Sequence, residues 1–418
     1  MRRMLNVAVV AILLGCHQPD PPGSYLYVWA GDSAGKASDF LAVVDANPAS
    51  STYGAVITSL ATGTMGGMPH HTEAEMPSDN HLLANAFAAG KTWLFDLTNP
   101  RTPAILTTFG DAAGFSHPHT FVRLADDTLL ATFQYHADST TAPPTMPMAG
   151  HDGMTMPDDR TTGGLVEMDE RGTVMRSSSA VDTTVADRKI YPYSVVAIPT
   201  IDRAVSTATD MNPADSAPGN WVQFWRLSDL KLLKTVALPA GPLGTEQKWT
   251  GEPRLLPDGR NVYIHTFGCG LYLVHGVDST TPSAQLVYTF PGESCGVPVL
   301  TAHYWIQPVP KLHGLVALDI ADPLHPRQVS AITVGANDEE PHWLAIDPTG
   351  TRLVVNSAGA GTGDRLYVIG FDPESGTLTL DQRFHDPGST KPGVAMRGKT
   401  WPHGFKGTAI PHGTVFSQ

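Results

Sequence analysis

The sequence is poor in cysteine and in basic charge, and it has no sustained helical period beyond its first residues. Cysteine occurs 3 times in 418 residues, and 27 Lys and Arg stand against 40 Asp and Glu, a formal net charge of −13. That balance argues against nucleic acid as a partner, because phosphate binding needs a basic patch or stripe and none is present. There is no GxSxG elbow, no P-loop and no Rossmann fingerprint in a βαβ context, which leaves serine-hydrolase and nucleotide-binding chemistry without support. No CxxC spacing exists, so a cysteine-built metal site has none either. The one long apolar run, Leu5 to Leu14, is too short to cross a bilayer as a stable helix.

That run follows Arg2 and Arg3 and ends in Leu13-Leu14-Gly15-Cys16, which resembles a bacterial lipobox. Residues 1–15 then read as a lipoprotein signal peptide and 16–24 as a tether. The resemblance implies cleavage before Cys16 and lipidation of its thiol, hence a membrane anchor in the bacterial cell envelope facing the periplasm. His17, rather than Asp, follows the cysteine, which favours the outer membrane. A plain secretory signal with an incidental cysteine is the alternative. Cys269 and Cys295 are what remains, and in an oxidising compartment they suit a disulfide. Two separate buried thiols are the other reading.

What the chain has in quantity is turn residues, 40 Gly and 35 Pro. Between them runs a recurring pattern: an apolar run, a polar turn, a second run ending near Asp, then a Pro- or Ser-rich turn and a third run. Thr92 to Leu97 followed by Ala104 to Phe109 is echoed by Leu315 to Ile320 followed by Gln328 to Val334, and five looser copies fill the rest. With an inner strand added, each unit offers about four strands, the signature of a propeller blade. The expected fold is all-β: a seven-bladed β-propeller over residues 25–418, its first blade closed by the C-terminal strand. Residues 139–160 form a Met- and His-rich loop insert.

A dipeptide punctuates the same pattern. Pro is followed by His at His70, His119, His342 and His403, and by Tyr193 and Arg254 at two related places. Proline suits a strand start because it lacks an N–H and fixes φ. A repeated position at the head of inner strands aims its side chains at one end of the central channel. Pro298-Val299 is a plausible seventh copy. Three or four converging imidazoles make a site for copper, zinc or iron. His70, His119, His342 and His403 are the expected ligands, with His71 and His117 as further ligands or their supports. Tyr193 and Arg254 face the same channel as candidate catalytic groups for a small-molecule substrate.

The insert points toward copper, since Met146, Met148, His151, Met154 and Met156 concentrate soft ligands suited to Cu(I). A disordered insert is the alternative. Glu73 and Glu75 offer acid–base or hard-ligand groups near His70-His71, although such carboxylates are more often on the surface. A Ca²⁺-dependent lactonase would want oxygen ligands where this chain repeats histidine.

Met68-Pro69-His70-His71 followed by acidic residues, together with Phe267-Gly268-Cys269-Gly270-Leu271, resembles the selenium-binding protein and methanethiol oxidase family. The resemblance implies a seven-bladed propeller and, in bacteria, a periplasmic copper-dependent oxidase of small thiols yielding formaldehyde, hydrogen sulfide and hydrogen peroxide. The family's Cys-Gly-Pro-Gly-type segment is absent, and Met76-Pro77-Ser78-Asp79 stands where a Cys-rich stretch would follow the histidines. These departures touch thiol chemistry and selenium binding and leave the histidine site in place. Two further readings keep the fold: a non-catalytic propeller that binds a partner or buffers copper through the insert, and a metal-dependent hydrolase of the lactonase type.

Overall fold

The computed structural model describes residues 20–137, 162–185, 189–211, 219–335, 339–357 and 365–418. Cys16 and the insert with Met146, Met148, His151, Met154 and Met156 lie outside them.

The short apolar runs form strands, and the strands group into seven antiparallel blade sheets and one two-stranded ribbon. Blade 2 is typical: Pro69–Thr72, His81–Ala86, Lys91–Asp96 and Ala104–Phe109, in order from the channel outward. Blades 3 to 7 begin with the inner strands Phe115–Arg123, Pro192–Ile198, Thr250–Leu255, Val299–Leu300 and Pro341–Ile346. Blade 1 is assembled from both ends of the chain. Its strands Tyr25–Asp32, Ser38–Asp45 and Val56–Met65 come first in sequence, and Ala409–Phe416 joins the inner edge antiparallel to Tyr25–Asp32. Ala409–Phe416 touches the inner strands of both blade 2 and blade 7, which closes the ring.

Period-two alternation explains how the ring holds together. The second and third strands of each blade bury both faces, and each face belongs to a different core. Leu26, Val28 and Ala30 pack with Val354 and Leu366 of blade 7. Tyr27 and Trp29, on the opposite face, pack with Leu82, Trp93 and Phe95 of blade 2. The other cores join blades 2–3, 3–4, 4–5, 5–6 and 6–7 in the same way. No blade has a core of its own, so each depends on its neighbours.

Two sequence expectations need correction. The inner strand read from Val299 to Ile306 is two strands, Val299–Leu300 and Tyr304–Val309, joined by a turn. Pro402-His403 does not head the closing strand: it sits in the turn between Lys399–Thr400 and Lys406–Gly407. The closing strand carries its own Pro-His pair, Pro411-His412. Cys269 and Cys295 form a disulfide with Cα atoms 5.1 Å apart, joining a turn of blade 5 to the approach of blade 6.

Candidate metal centre

The inner strands share one irregularity, and it builds the site. In five blades the register slips by one residue where the inner strand meets its neighbour: between Pro69 and Thr72, Pro118 and Phe121, Pro192 and Val195, Thr250 and Pro253, and Pro341 and Trp343. Opposite Val28 and Ala30 the closing strand slips in the same way after Pro411. A bulge of this kind turns two successive side chains toward one side of the sheet, which is how His70 and His71 both reach the channel.

The extra residue also leaves an inner-strand N–H without a ladder partner, and a buried N–H needs one. In blades 2, 3, 5 and 7 a polar side chain of the second strand takes it. His71 N–H donates to Asn85 Oδ1 (2.7 Å), Thr120 N–H to Thr132 Oγ1 (3.0 Å), Glu252 N–H to His265 Nδ1 (2.9 Å) and Trp343 N–H to Asn356 Oδ1 (3.1 Å). Asn85 further donates to the carbonyls of Pro118 and His119 and so ties blade 2 to blade 3. Asn356 Nδ2 does the same from blade 7 to the His412 carbonyl.

The register defines which residues are equivalent. The position after the repeated proline is His412, His70, His119, Tyr193, Gly251, Val297 and His342 in blades 1 to 7. Four consecutive blades, 7 through 3, therefore contribute histidine, and His71 adds a fifth from the next bulge position. The rings of His70 and His71 stack at 4.4 Å and 13°. His70 lies 4.7 Å from His119 and 4.2 Å from His412 between ring centroids. The ligand atoms of His70, His71 and His119 all lie within 4.8 Å of one another, and all three residues are buried. His342 Nε2 and His412 Nε2 are 3.1 Å apart. Two imidazole nitrogens about 2.0–2.1 Å from a common ion would be separated by roughly 2.9–3.4 Å, so this spacing fits one as well.

The hydrogen bonds set the tautomers. His119 Nδ1 is 2.6 Å from the carbonyl oxygen of Tyr193. A carbonyl can only accept, so Nδ1 carries the proton and Nε2 keeps its lone pair. His119 Nε2 is buried and has no hydrogen-bond partner among the described residues. This is the arrangement of a metal-ligating histidine: one nitrogen pinned by a carbonyl, the other offered. Thr120 Oγ1 donates to the same carbonyl, which leaves it to accept from His71 Nδ1 at 3.2 Å. His71 Nε2 then faces the Tyr193 hydroxyl at 3.3 Å.

Burial keeps the His71 and His119 rings neutral. Desolvation lowers His119 to about 3. His71 is pushed well below the ordinary histidine value by burial first and by the neighbouring His119, His412 and His342 second. Burial raises the Tyr193 hydroxyl well above its usual range, so it remains a phenol and a donor. The residues present fit a borderline or soft ion: neutral nitrogen donors in a dry pocket, with an unspent lone pair at His119.

The structure brings His70, His71, His119, His342 and Tyr193 together and places the other expected residues elsewhere. His403 lies at the outside of blade 1, its Nδ1 2.7 Å from Ser59 Oγ of the outermost strand and its ring 4.6 Å from Phe40. His412 holds the position expected for it. The missed signal was the same one: Ile410-Pro411-His412 repeats the dipeptide nine residues later. His117 precedes its proline with φ 59° and turns its ring to Phe87 and Tyr135, a layer away from the cluster. Arg254 is not equivalent to the histidines, since the slip places Gly251 there. Arg254 instead donates to Glu252 Oε2 at 2.9 Å, beside a 2.6 Å bond from Ser194 Oγ. Val299 is likewise off register, with Val297 at the equivalent place. Glu73 is buried and bound to Arg123 Nε (2.7 Å) and Leu83 N–H (2.9 Å), a structural ion pair; Glu75 is exposed.

Glu252 is the carboxylate that sequence reasoning passed over. Its Oε1 makes no hydrogen bond among the described residues and lies 3.7 Å from His71 Nδ1. Beside the histidines, Phe87, Tyr135, Tyr191, Tyr193 and Met211 form a small apolar cluster with Met68 and Phe267 packed against it.

No protein-family model matches the chain. It is 26% identical over 340 residues to the methanethiol oxidase of a Hyphomicrobium species, covering 74% of this chain and 71% of that protein. Its fold superposes on a hypothetical selenium-binding protein of Sulfolobus tokodaii with a TM-score of 0.72 at 15% identity, over 95% of this chain and 94% of that one. The periplasmic gluconolactonase of Pseudomonas aeruginosa gives 0.59 at 14% identity, over 94% and 99%. The last two show a shared fold; the first adds a distant similarity in sequence to an oxidoreductase.

Proposed function

We propose that this chain is a copper-dependent oxidoreductase acting on a small, weakly polar substrate, with a thiol as the first choice and dioxygen as the acceptor. Its distant similarity to a methanethiol oxidase supports the reaction class. The observation that carries the reading is the buried set of His70, His71 and His119, with His119 Nδ1 bound to a carbonyl and Nε2 left to coordinate.

His70, His71 and His119 would hold the ion, with His342 and His412 completing its surroundings. Bound copper would supply one-electron redox chemistry and affinity for soft sulfur. The protein's own part is positioning. Asn85 fixes the backbone of His71 and His119, Thr120 and the Tyr193 carbonyl fix ring orientation, and the Tyr193 hydroxyl stands by as a neutral donor. The Phe87, Tyr191, Met68 and Phe267 side chains give the channel an apolar wall, which favours a small uncharged substrate over a hydrophilic one and restricts water.

Attachment to the cell envelope through Cys16 belongs to the same proposal and places the site on the oxidising side of the membrane. Loss of membrane association in Cys16→Ser, with the soluble protein unchanged, tests it. A lactonase reading has less support, since Ca²⁺ takes oxygen ligands and the channel offers imidazoles. The direct test is oxygen uptake with methanethiol. His119→Ala is expected to lower it by more than the roughly 10–100-fold that loss of a ligand's supporting residue costs. Unchanged uptake would overturn the assignment.

A further inference from the structure

One position on the ring lacks a side chain. Gly251 occupies the blade 5 equivalent of His70, His119 and Tyr193, and a Cβ placed on it would lie 2.2 Å from the ring of His265. His265, on the adjacent strand Val262–Thr266, thus fills the space that the missing side chain would take on the channel side. It is fully buried and stands edge-on to Phe267 at 5.3 Å.

Its tautomer is the reverse of that of His119. His265 Nδ1 lies 2.9 Å from the Glu252 N–H and 3.5 Å from the Glu252 carbonyl oxygen. The shorter contact makes Nδ1 an acceptor, so in the neutral ring the proton sits on Nε2. His265 Nε2 has no hydrogen-bond partner among the described residues. The ring is also locked, because Gly251 on one side and the bulge on the other leave it no room to turn. His119 thus keeps a buried lone pair without a partner, and His265 a buried N–H.

We propose that His265 is a ligand-binding residue whose Nε2–H receives the lone-pair heteroatom of a small anionic or strongly polarised ligand in the channel. It cannot serve as another metal ligand without breaking the bond to Glu252 N–H that closes the blade 5 bulge. Arg254 is tied through Nη1 to Glu252 Oε2 and to the Pro253 carbonyl. A donor held dry and preoriented gains its bond only when the ligand arrives, so its contribution appears in affinity rather than in the resting fold. The inference rests on reading this channel as the reaction site, but the donor exists whether or not a metal is bound.

Azide, a small anion with terminal lone pairs, is the probe. Its binding is measured twice, by thermal shift of metal-free protein and by the azide-to-copper charge-transfer band of Cu(II)-loaded protein. His265→Phe keeps the ring volume and removes the donor. It is expected to weaken azide at least about tenfold in both measurements while retaining the wild-type copper content. His265→Gln, with an acceptor and a donor, is expected to recover most of the loss. Equal azide affinity in wild type and His265→Phe would overturn the proposal, and so would loss of copper from His265→Phe, which would make His265 part of the metal set. If wild type takes up no copper, the proposed function fails while the metal-free measurement still decides for or against the donor.

Discussion

At the scale of single residues, the site turns on which histidines reach the channel. His403 and His412 make the contrast plain, since both follow proline and only His412 shares the channel with His70 and His342. His412→Ala is expected to weaken copper binding at least about tenfold, whereas His403→Ala leaves it unchanged and costs only a surface contact. Competition with a chromophoric chelator measures both. Burial also makes the metal-free protein acid-sensitive. His71, His117, His119 and His265 have folded values below the ordinary 6.5, with His117 near 4 and His119 and His265 near 3. The unfolded chain therefore binds more protons below pH 6.5, and stability must fall as pH drops from there toward 3. Asp39 acts the other way, since burial raises it to about 7 and its contribution is lost as pH rises through that value. Burial raises Glu73 and Asp111 as well, but five lowered histidines, His403 included, stand against these three carboxyls, so the melting temperature of metal-free protein is expected to decline between pH 6.5 and 4.5. A flat profile in a calorimetric pH series would show that these rings are charged or exposed.

At the scale of the strand, the bulge is the device. It turns His70 and His71 to the same side and leaves an N–H that Asn85, Thr132, His265 or Asn356 must accept. Asn85→Ala would strand the His71 N–H and the Pro118 and His119 carbonyls, at about 1–3 kcal/mol for each buried group left unsatisfied. A clear fall in melting temperature together with weaker metal binding is expected, although Asn85 touches no ion. A loss of stability with full copper affinity would show that the bulge does not orient the ligands. This scale also explains what the sequence concealed. The Pro-His dipeptide marks the bulge in four inner strands, but Thr250-Gly251-Glu252 forms the same feature without it. Nearby prolines at 253 and 298 then offered a false register. One inserted residue reverses which side chains face the channel, so Arg254 was placed where Gly251 stands. His265 was hidden for a related reason: it reaches the ring from the second strand, where no inner-strand pattern points.

At the scale of the whole molecule, seven units and their closure by the chain's end were readable, because apolar runs at regular spacing demand neighbours on both faces. What could not be read was which Pro-His pair belongs to the closing strand, since His403 and His412 both follow proline and only tertiary packing separates them. The ring is held at blade 1 by Ala409–Phe416, and nearby Trp343 Nε1 donates to the Thr414 carbonyl at 2.9 Å. The Cys269–Cys295 disulfide, spanning 26 residues, joins blades 5 and 6 away from that closure. Replacing both cysteines with serine is expected to lower unfolding free energy by about 3.5 kcal/mol, from the entropy of a loop of that length, without altering copper content. Denaturant titration measures the first and elemental analysis the second.

X-ray absorption at the copper edge of protein loaded with one equivalent tests the central claim most directly. The expected result is a first shell of nitrogen scatterers with the outer-shell pattern of at least three imidazoles, abolished in a His70→Ala, His71→Ala, His119→Ala variant that keeps its β-rich circular dichroism. A shell dominated by sulfur, or a spectrum unchanged in that variant, would place the copper elsewhere and contradict a shared histidine site in the channel.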